Sequence, residues 1–287
     1  MKERLSAPAK VNLRLDIVGR DPASGHHHLE MVLAPVTLAD EMMVEESDRL
    51  TVVTENCPEP IPQERNIVHR IVRAVEAEIG HELPPLAVTI RKEIPTGGGM
   101  GGGSSDGATI LRYLDERYAL CLGMERMTRI AARVGSDIPF FLHRSPAVVS
   151  GFGDRVAPFR MAAFPFSLLL VHPGFPVDTK AAYALWDRKM LTKRAPTGTN
   201  TARVSAFRSL AEWRDFMRND FEAPLFEEYP ALAALARRLA EEGADRSLMT
   251  GSGSTVVGFF ADAERRERAS GRLREEYGFV RKAEIVG

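Results

Sequence analysis

The sequence predicts an α+β protein of two lobes, and three observations carry that expectation. Strand-like and helix-like segments follow one another irregularly, with no repeated βαβ unit and no internal repeat. A glycine-rich stretch joins a strand ending in proline to an amphipathic helix. The 287 residues are 44% hydrophobic and 27% charged, enough to bury one large core or two modest ones. A boundary is expected between Arg155 and Ala163, dividing the chain into domains 1–158 and 159–287.

The elements follow in order. From Lys10 to Ile17 the pattern alternates strictly, with Val11, Leu13, Leu15 and Ile17 on one face and Lys10, Asn12, Arg14 and Asp16 on the other. That predicts a half-buried strand with Lys10 and Asn12 about 7 Å apart on its polar face. Asp21-Pro22 and Gly25 mark Gly19 to His28 as a turn. Strands are expected at Met42 to Glu45 and Leu50 to Thr54, followed by a proline-rich connection from Pro58 to Pro62. Asn66 is a good N-cap for a helix carrying Ile67, Val68, Ile71, Val72, Val75 and Ile79, with Gly80 as its stop. Leu86, Val88 and Ile90 alternate as a strand that reaches Pro95. Helical spacing returns at Ile110, Leu111, Leu114 and Tyr118, and again from Glu125 to Val134, where Gly135 ends it. Beyond that, strands are expected at Ala147 to Ser150, Phe166 to His172 and Thr255 to Phe260. Helices are expected at Lys180 to Lys189, Val204 to Met217, Ala231 to Glu241 and Glu264 to Tyr277, before a final strand.

Composition narrows the function. The formal net charge is −1, so no global field draws the chain to nucleic acid or to an anionic membrane. Any anionic ligand must be held by local donors. Cys57 and Cys121 have no metal-ligand spacing and read as free thiols of a reducing compartment. No apolar signal core follows Met1, and Leu168 to Val171 is far too short to span a bilayer. A soluble, cytoplasmic protein is expected.

Residues 95–108 read Pro-Thr-Gly-Gly-Gly-Met-Gly-Gly-Gly-Ser-Ser-Asp-Gly-Ala. Glycines can adopt positive φ and present successive N–H groups with no Cβ in the way. The helix that follows adds unpaired N–H donors and a positive dipole end, together a cradle for phosphate. Ser104 and Ser105 supply hydroxyls that can cap the helix or reach a phosphate oxygen or its magnesium ion. A flexible linker is the plain alternative, but linkers are rarely set between a strand ending in proline and a capped amphipathic helix. A Walker loop needs lysine before the hydroxyl residue, and Gly103 stands there. A dinucleotide fold would need repeated βαβ units. The cation must come from elsewhere.

Three segments in order are similar to the motifs of the galactokinase, homoserine kinase, mevalonate kinase and phosphomevalonate kinase (GHMP) superfamily. They are Pro8-Ala9-Lys10-Val11-Asn12-Leu13, the glycine loop, and Met249-Thr250-Gly251-Ser252-Gly253-Ser254-Thr255-Val256. The doubled triple glycine, Gly25-His26-His27-His28-Leu29, Asn66-Ile67-Val68 and Gly135-Ser136-Asp137-Ile138-Pro139-Phe140-Phe141 resemble the branch whose acceptor is a cytidyl diphosphate alcohol. The resemblance runs from Pro8 to about Phe260. It implies a two-lobed kinase fold with the active site in the cleft between lobes, and an N-terminal ATP-binding domain.

By that resemblance Asp137 is the general base and Lys10 its cationic partner, and magnesium bridges the phosphates of ATP. ATP is expected on Pro95, Thr96, Gly97, Gly98, Gly99, Met100, Gly101, Gly102, Gly103, Ser104 and Ser105, with Asn66 near the adenine. Asn12, His27 and Tyr183 are expected to line the cytidyl pocket, and Gly251, Ser252 and Gly253 to approach substrate phosphates. Two differences stand out: His26 occupies the usual tyrosine position, though an imidazole can still stack, and Gly107 replaces the more frequent alanine. Alternatives are another kinase of the superfamily, acting on homoserine, mevalonate or a sugar, and a non-catalytic nucleotide-binding regulator.

Taken singly, these residues have plainer readings. Asp137 alone is a turn or cap residue, Lys10 alone a solvated strand lysine, and Tyr183 alone a packing residue. Three consecutive histidines alternate sides of an extended segment and rarely converge on one ion, so no protein metal site is expected. Arg265-Arg266-Glu267-Arg268 is a solvated helix face. The partner is a small molecule, neither nucleic acid nor membrane, bound by a monomer or homodimer.

Overall fold

The computed structural model describes residues 2–57, 61–161, 164–190 and 201–287. Part of the proline-rich connection and the last two residues of the expected boundary region lie outside these. By contact the chain forms two compact units, one from Met1–Ala9, Leu38–Thr96 and Gly101–Arg144, the other from Lys10–Thr37, Gly97–Met100 and Ser145–Gly287. The sequence expectation of one cut near residue 158 describes order along the chain; the contact units interleave, because the first two strands each contribute to both.

The first unit holds the start of β1 (Lys2–Arg20) and the end of β2 (His27–Glu46). It continues through β3 (Thr51–Glu55), α1 (Ile67–Ile79), β4 (Leu86–Arg91), α2 (Gly102–Arg117), α3 (Gly123–Val134) and α4 (Ile138–Leu142). β4 lies antiparallel to residues 41–46 of β2 and parallel to β3. Asn66 caps α1 by accepting the N–H of Val68 at 2.9 Å, and Gly80 ends it in the left-handed conformation at φ 80°. The buried face of α1 is Val68, Ile71, Val72 and Val75, the apolar set that the spacing picks out. α2 packs on α1 and α4, and its approach is close: a Cβ on Gly107 would come within 2.6 Å of Ile67.

The second unit continues through β5 (Ala147–Gly151), β6 (Arg155–Pro158), β7 (Ser167–His172), α5 (Thr179–Met190), α6 (Leu210–Phe216) and β8 (Arg218–Asn219). After these come α7 (Glu222–Glu228), α8 (Pro230–Glu241), β9 (Arg246–Met249), β10 (Val256–Phe260), α9 (Ala263–Glu276) and β11 (Phe279–Ala283). β7, β9, β10 and β11 form an antiparallel sheet in the order β11-β7-β10-β9. Its core joins Leu169, Val171, Val256, Phe260 and Val280 of the strands to Leu235 and Leu239 of α8 and Leu273 of α9. Residues 29–33 of β2 pair with β5, and Arg14 and Leu15 of β1 pair in parallel with β8.

The α+β class holds, and most elements fall where the periodicity puts them. Three differences are instructive. β1 is not half-buried: its polar face is closed too, with Lys10, Asn12 and Asp16 all buried. The expected helix from Val204 to Met217 is two pieces, a 3₁₀ turn at Thr201–Ala206 and then α6. Ser209 divides them as an N-cap whose capping box with Glu212 restarts the helix, a signal present in the Ser-x-x-Glu spacing. The short β8 and β9 escape periodicity because two to four residues carry too little pattern. No helix among the described residues is long and apolar enough to cross a membrane, and Cys57 and Cys121 are both free.

Candidate active site

The glycine stretch leaves β4 and enters α2 with positive φ at alternate residues: Gly97 at 71°, Gly99 at 77° and Gly101 at 70°. Alternation of this kind turns successive peptide N–H groups to one side and carbonyls to the other, a concave anion nest. The carbonyls are engaged. Gly98 O accepts from Thr255 N at 3.2 Å, Met100 O from Lys10 N at 3.0 Å and Gly101 O from Ser105 N at 2.9 Å. The N–H groups of Gly99 to Gly103 donate to no protein acceptor among the described residues. Glycine is compulsory at one point: a Cβ on Gly99 would lie 2.1 Å from Thr250 O. At the head of α2 the Ser105 hydroxyl is fully buried and has no hydrogen-bond partner among the described residues.

Behind the loop, in the first unit, lies a charge cluster that the sequence reading missed. Lys92 Nζ is 2.7 Å from Asp106 Oδ2 and also bonds Asp40 Oδ2. Asp40 Oδ1 accepts the N–H groups of Glu93 at 2.6 Å and Ile94 at 2.9 Å, which fixes the chain's exit from β4. Burial pushes the Asp106 carboxyl up to about 7 despite the lysine beside it. Desolvation alone would lower Lys92, but the two carboxylates outweigh it and hold the ammonium above its ordinary range. Single charges at positions 40, 92 and 106 carry no pattern in the sequence. Only the fold joins them.

In the second unit Lys10 Nζ is 2.5 Å from Asn12 Oδ1. That same oxygen accepts from Gly251 N at 2.9 Å and Thr250 Oγ1 at 3.2 Å, and Asn12 N donates to Thr250 Oγ1 at 3.0 Å. Asn12, expected in the cytidyl pocket, therefore ties Lys10 to the third glycine motif. Asn219, which no motif flagged, completes the tie. Its Nδ2 donates to Met249 O at 2.7 Å and Gly251 O at 2.8 Å, while its Oδ1 accepts Phe221 N at 3.0 Å. Glu222 accepts Met249 N at 2.8 Å, and burial pushes its carboxyl up to about 7. Gly253 N donates to Thr250 O at 3.1 Å. Of the three residues expected at substrate phosphates, Ser252 keeps a backbone N–H without an acceptor among the described residues, and its hydroxyl is 2.9 Å from Thr179 Oγ1.

His27 lies with Tyr183 in the second unit, as two of the three expected pocket residues. The rings stack at 4.5 Å and 17°, and His27 Nε2 is 2.6 Å from Asp187 Oδ1. His26 and His28 instead flank Phe152, at 5.9 and 4.6 Å. Asn66 uses its oxygen on the α1 cap and its amide on Thr54 Oγ1 at 3.2 Å. Pro95 is half-buried, and Thr96 is exposed with its hydroxyl 4.0 Å from Cys57 Sγ. Asp137 occupies the N-cap position of α4, yet its carboxylate makes no capping bond, so the plain cap reading leaves that group without a task. Lys10 belongs to the second unit and Asp137 to the first.

Comparisons with known proteins identify the family. Residues 66–145 match the family model of the GHMP kinases N terminal domain, and residues 204–278 that of the GHMP kinases C terminal. A 4-diphosphocytidyl-2-C-methyl-D-erythritol kinase of Parabacteroides distasonis is 34% identical over 88% of this chain and 89% of its own length. Its namesake in Geobacter metallireducens is 36% identical over 91% of this chain and 90% of its own. A crystal structure of 4-(cytidine 5'-diphospho)-2C-methyl-D-erythritol kinase superposes with a TM-score of 0.83 at 29% identity, covering 99% of this chain and all of that one. Homoserine kinase from Cytophaga hutchinsonii, at 15% identity and a TM-score of 0.73 over 100% of this chain and 94% of that one, shares the fold. The chain belongs to the GHMP kinases, in the 4-diphosphocytidyl-2-C-methyl-D-erythritol kinase family.

Proposed function

We propose that this protein transfers the γ-phosphoryl group of ATP to the 2-hydroxyl of 4-diphosphocytidyl-2-C-methyl-D-erythritol, a step of non-mevalonate isoprenoid synthesis. One observation carries the reading most: the N–H groups of Gly99 to Gly103 have no acceptor among the described residues, on a stretch of alternating backbone hand at Gly97, Gly99 and Gly101. Five donors with no protein acceptor suit the oxygens of a triphosphate, as a linker or a packing turn would not. Family membership, with relatives named for this acceptor, supports the choice of alcohol.

In this reading Asp137 accepts the proton of the acceptor hydroxyl, and Lys10, oriented by Asn12 Oδ1, offsets the charge that develops on the oxygen. The loop's peptide dipoles hold the phosphates in line. Magnesium, which would neutralise the phosphoryl oxygens, fits the buried and unpartnered Ser105 hydroxyl. Ser252 and its neighbours would approach the substrate diphosphate, and His27 and Tyr183 would line the cytidyl pocket. Free thiols at Cys57 and Cys121 fit a cytoplasmic enzyme.

A coupled ADP-release assay over four acceptors tests the reading: the cytidyl methylerythritol, homoserine, mevalonate and galactose. Turnover is expected with the first alone. Phosphorylation of another, with the cytidyl alcohol ignored, would replace this function by a different one of the superfamily. ATP binding without turnover of any would favour a regulator.

A further inference from the structure

His26, His27 and His28 are consecutive in extended chain, so their rings alternate sides. The outer two pack on Phe152. His27 faces α5, which offers Tyr183, Trp186 and Asp187 at helical spacing on one face. Tyr183 stacks on the imidazole, Trp186 meets it edge-on at 5.7 Å, and Asp187 Oδ1 is 2.6 Å from Nε2. The other carboxylate oxygen of Asp187 is 3.3 Å from an Arg20 guanidinium nitrogen. The His27 side chain is only 7% exposed, so the ring has one orientation.

A carboxylate has no hydrogen to give, so in the singly protonated ring Nε2 carries the hydrogen and Nδ1 presents the lone pair. Among the described residues Nδ1 has no hydrogen-bond partner and is not sealed from solvent. We infer that Asp187, braced by Arg20, is a specificity-determining positioning residue that fixes His27 Nδ1 as a hydrogen-bond acceptor toward the nucleobase. An acceptor there matches the 4-amino group of cytosine and opposes the 4-oxo group of uracil. The inference rests on the cytidyl reading of this pocket proposed above.

The test compares the affinities of cytidine 5'-diphosphate and uridine 5'-diphosphate by titration calorimetry, in wild type and in Asp187→Asn. A carboxamide can donate to Nε2, which lets the ring hydrogen move to Nδ1 and reverses the polarity offered to the base. Wild type is expected to favour the cytidine nucleotide by about tenfold or more, the size of one well-placed hydrogen bond. In Asp187→Asn the ratio is expected to fall to within about twofold, and Asp187→Glu, which keeps the carboxylate, should recover most of it. An Asn variant that weakens both nucleotides equally and keeps the ratio would make Asp187 merely structural and overturn the inference. So would a wild type that shows no preference or binds neither nucleotide.

A second measurement needs no variant. Nitrogen-15 resonances of the His27 ring in wild type saturated with cytidine 5'-diphosphate should show a lone pair at Nδ1, and a protonated Nδ1 overturns the assignment. Wild-type turnover of the cytidyl alcohol separates the two ideas. Turnover without nucleotide preference sinks this inference alone, whereas preference without turnover leaves it standing and sinks the proposed activity.

Discussion

Two glycine stretches of this chain use the same residue for opposite ends. At Gly97 to Gly103 the carbonyls of Gly98, Met100 and Gly101 are bonded, and the N–H groups of Gly99 onward have no acceptor among the described residues. At Gly251 to Gly253 the N–H of Gly251 is held by Asn12, its carbonyl by Asn219, and the N–H of Gly253 by Thr250. The first leaves a row of N–H groups without acceptors among the described residues; in the second only the Ser252 N–H is left so, and Asn12 ties the turn to Lys10. Glycine allows both because it removes a Cβ from each, 2.1 Å from Thr250 O at Gly99 and 2.8 Å from Gly99 O at Gly251. What differs is the company of side chains. Two buried asparagines convert a flexible stretch into a fixed one.

The contrast can be broken at several points. The largest effect is expected at the proposed general base. Asp137→Asn should lower kcat by about 10²- to 10⁴-fold while leaving the dissociation constant for ATP nearly unchanged. Equal turnover by the variant would remove Asp137 from the mechanism and leave the loop as a binding site only.

Gly99→Ala places a Cβ against Thr250 O at positive φ, so about 2 kcal/mol or more of stability should be lost, together with ATP affinity. Gly103→Ala meets only the Ile67 side chain at 3.2 Å and should cost well under half as much. Thermal unfolding and the KM for ATP, measured on both, check the difference. Similar losses would mean that loop strain is spread evenly and the Gly99 contact is not special.

Asn219→Leu strips the partners from Met249 O, Gly251 O and Phe221 N inside the core. A loss of roughly 2 kcal/mol in denaturant unfolding is expected, with kcat/KM for the acceptor falling more than ATP affinity. An equal fall in both would make the third motif a general scaffold, without a closer link to the acceptor.

The smallest effect concerns pH. Burial raises the folded-state pKa of Glu222 from 4.5 to about 7, so the folded protein binds a proton that the unfolded chain has already released. Stability therefore falls as pH rises from about 4.5 to about 7, and the penalty is fully present above that range. Glu222→Gln keeps an acceptor for Met249 N and avoids the charge. It should raise the unfolding free energy at pH 8 by on the order of 1–2 kcal/mol, read in denaturant unfolding, and the gain should vanish below pH 4.5. A pH-independent difference would mean that Glu222 stays ionised in the fold.

The α1 cap at Asn66 and Gly80, the alternation of β1 and the glycine loop between β4 and α2 were all legible in the chain, because each depends on neighbours within a few residues. Resemblance to the kinase motifs marked Lys10, Asp137 and His27 as candidates, where local chemistry alone gave each a plainer reading. Their surroundings were not legible. Strand alternation sets Asn12 beside Lys10, but nothing near it says that its oxygen also serves Gly251, 239 positions away. Separation along the chain likewise hides Asn219 behind the third glycine motif, Lys92 between Asp40 and Asp106, and Asp187 behind His27.

By itself the sequence determined the backbone menu: where glycine permits positive φ, where a cap stops a helix, which face of a strand is apolar. Tertiary structure alone decided which polar groups are paired and which remain open. A hydrogen bond or a buried charge depends on atoms brought within about 3 Å, and only folding sets those distances for residues far apart in the chain. That is why the outward turn of the loop amides follows from local conformation, while their lack of protein acceptors, and the closure of the second glycine turn, do not.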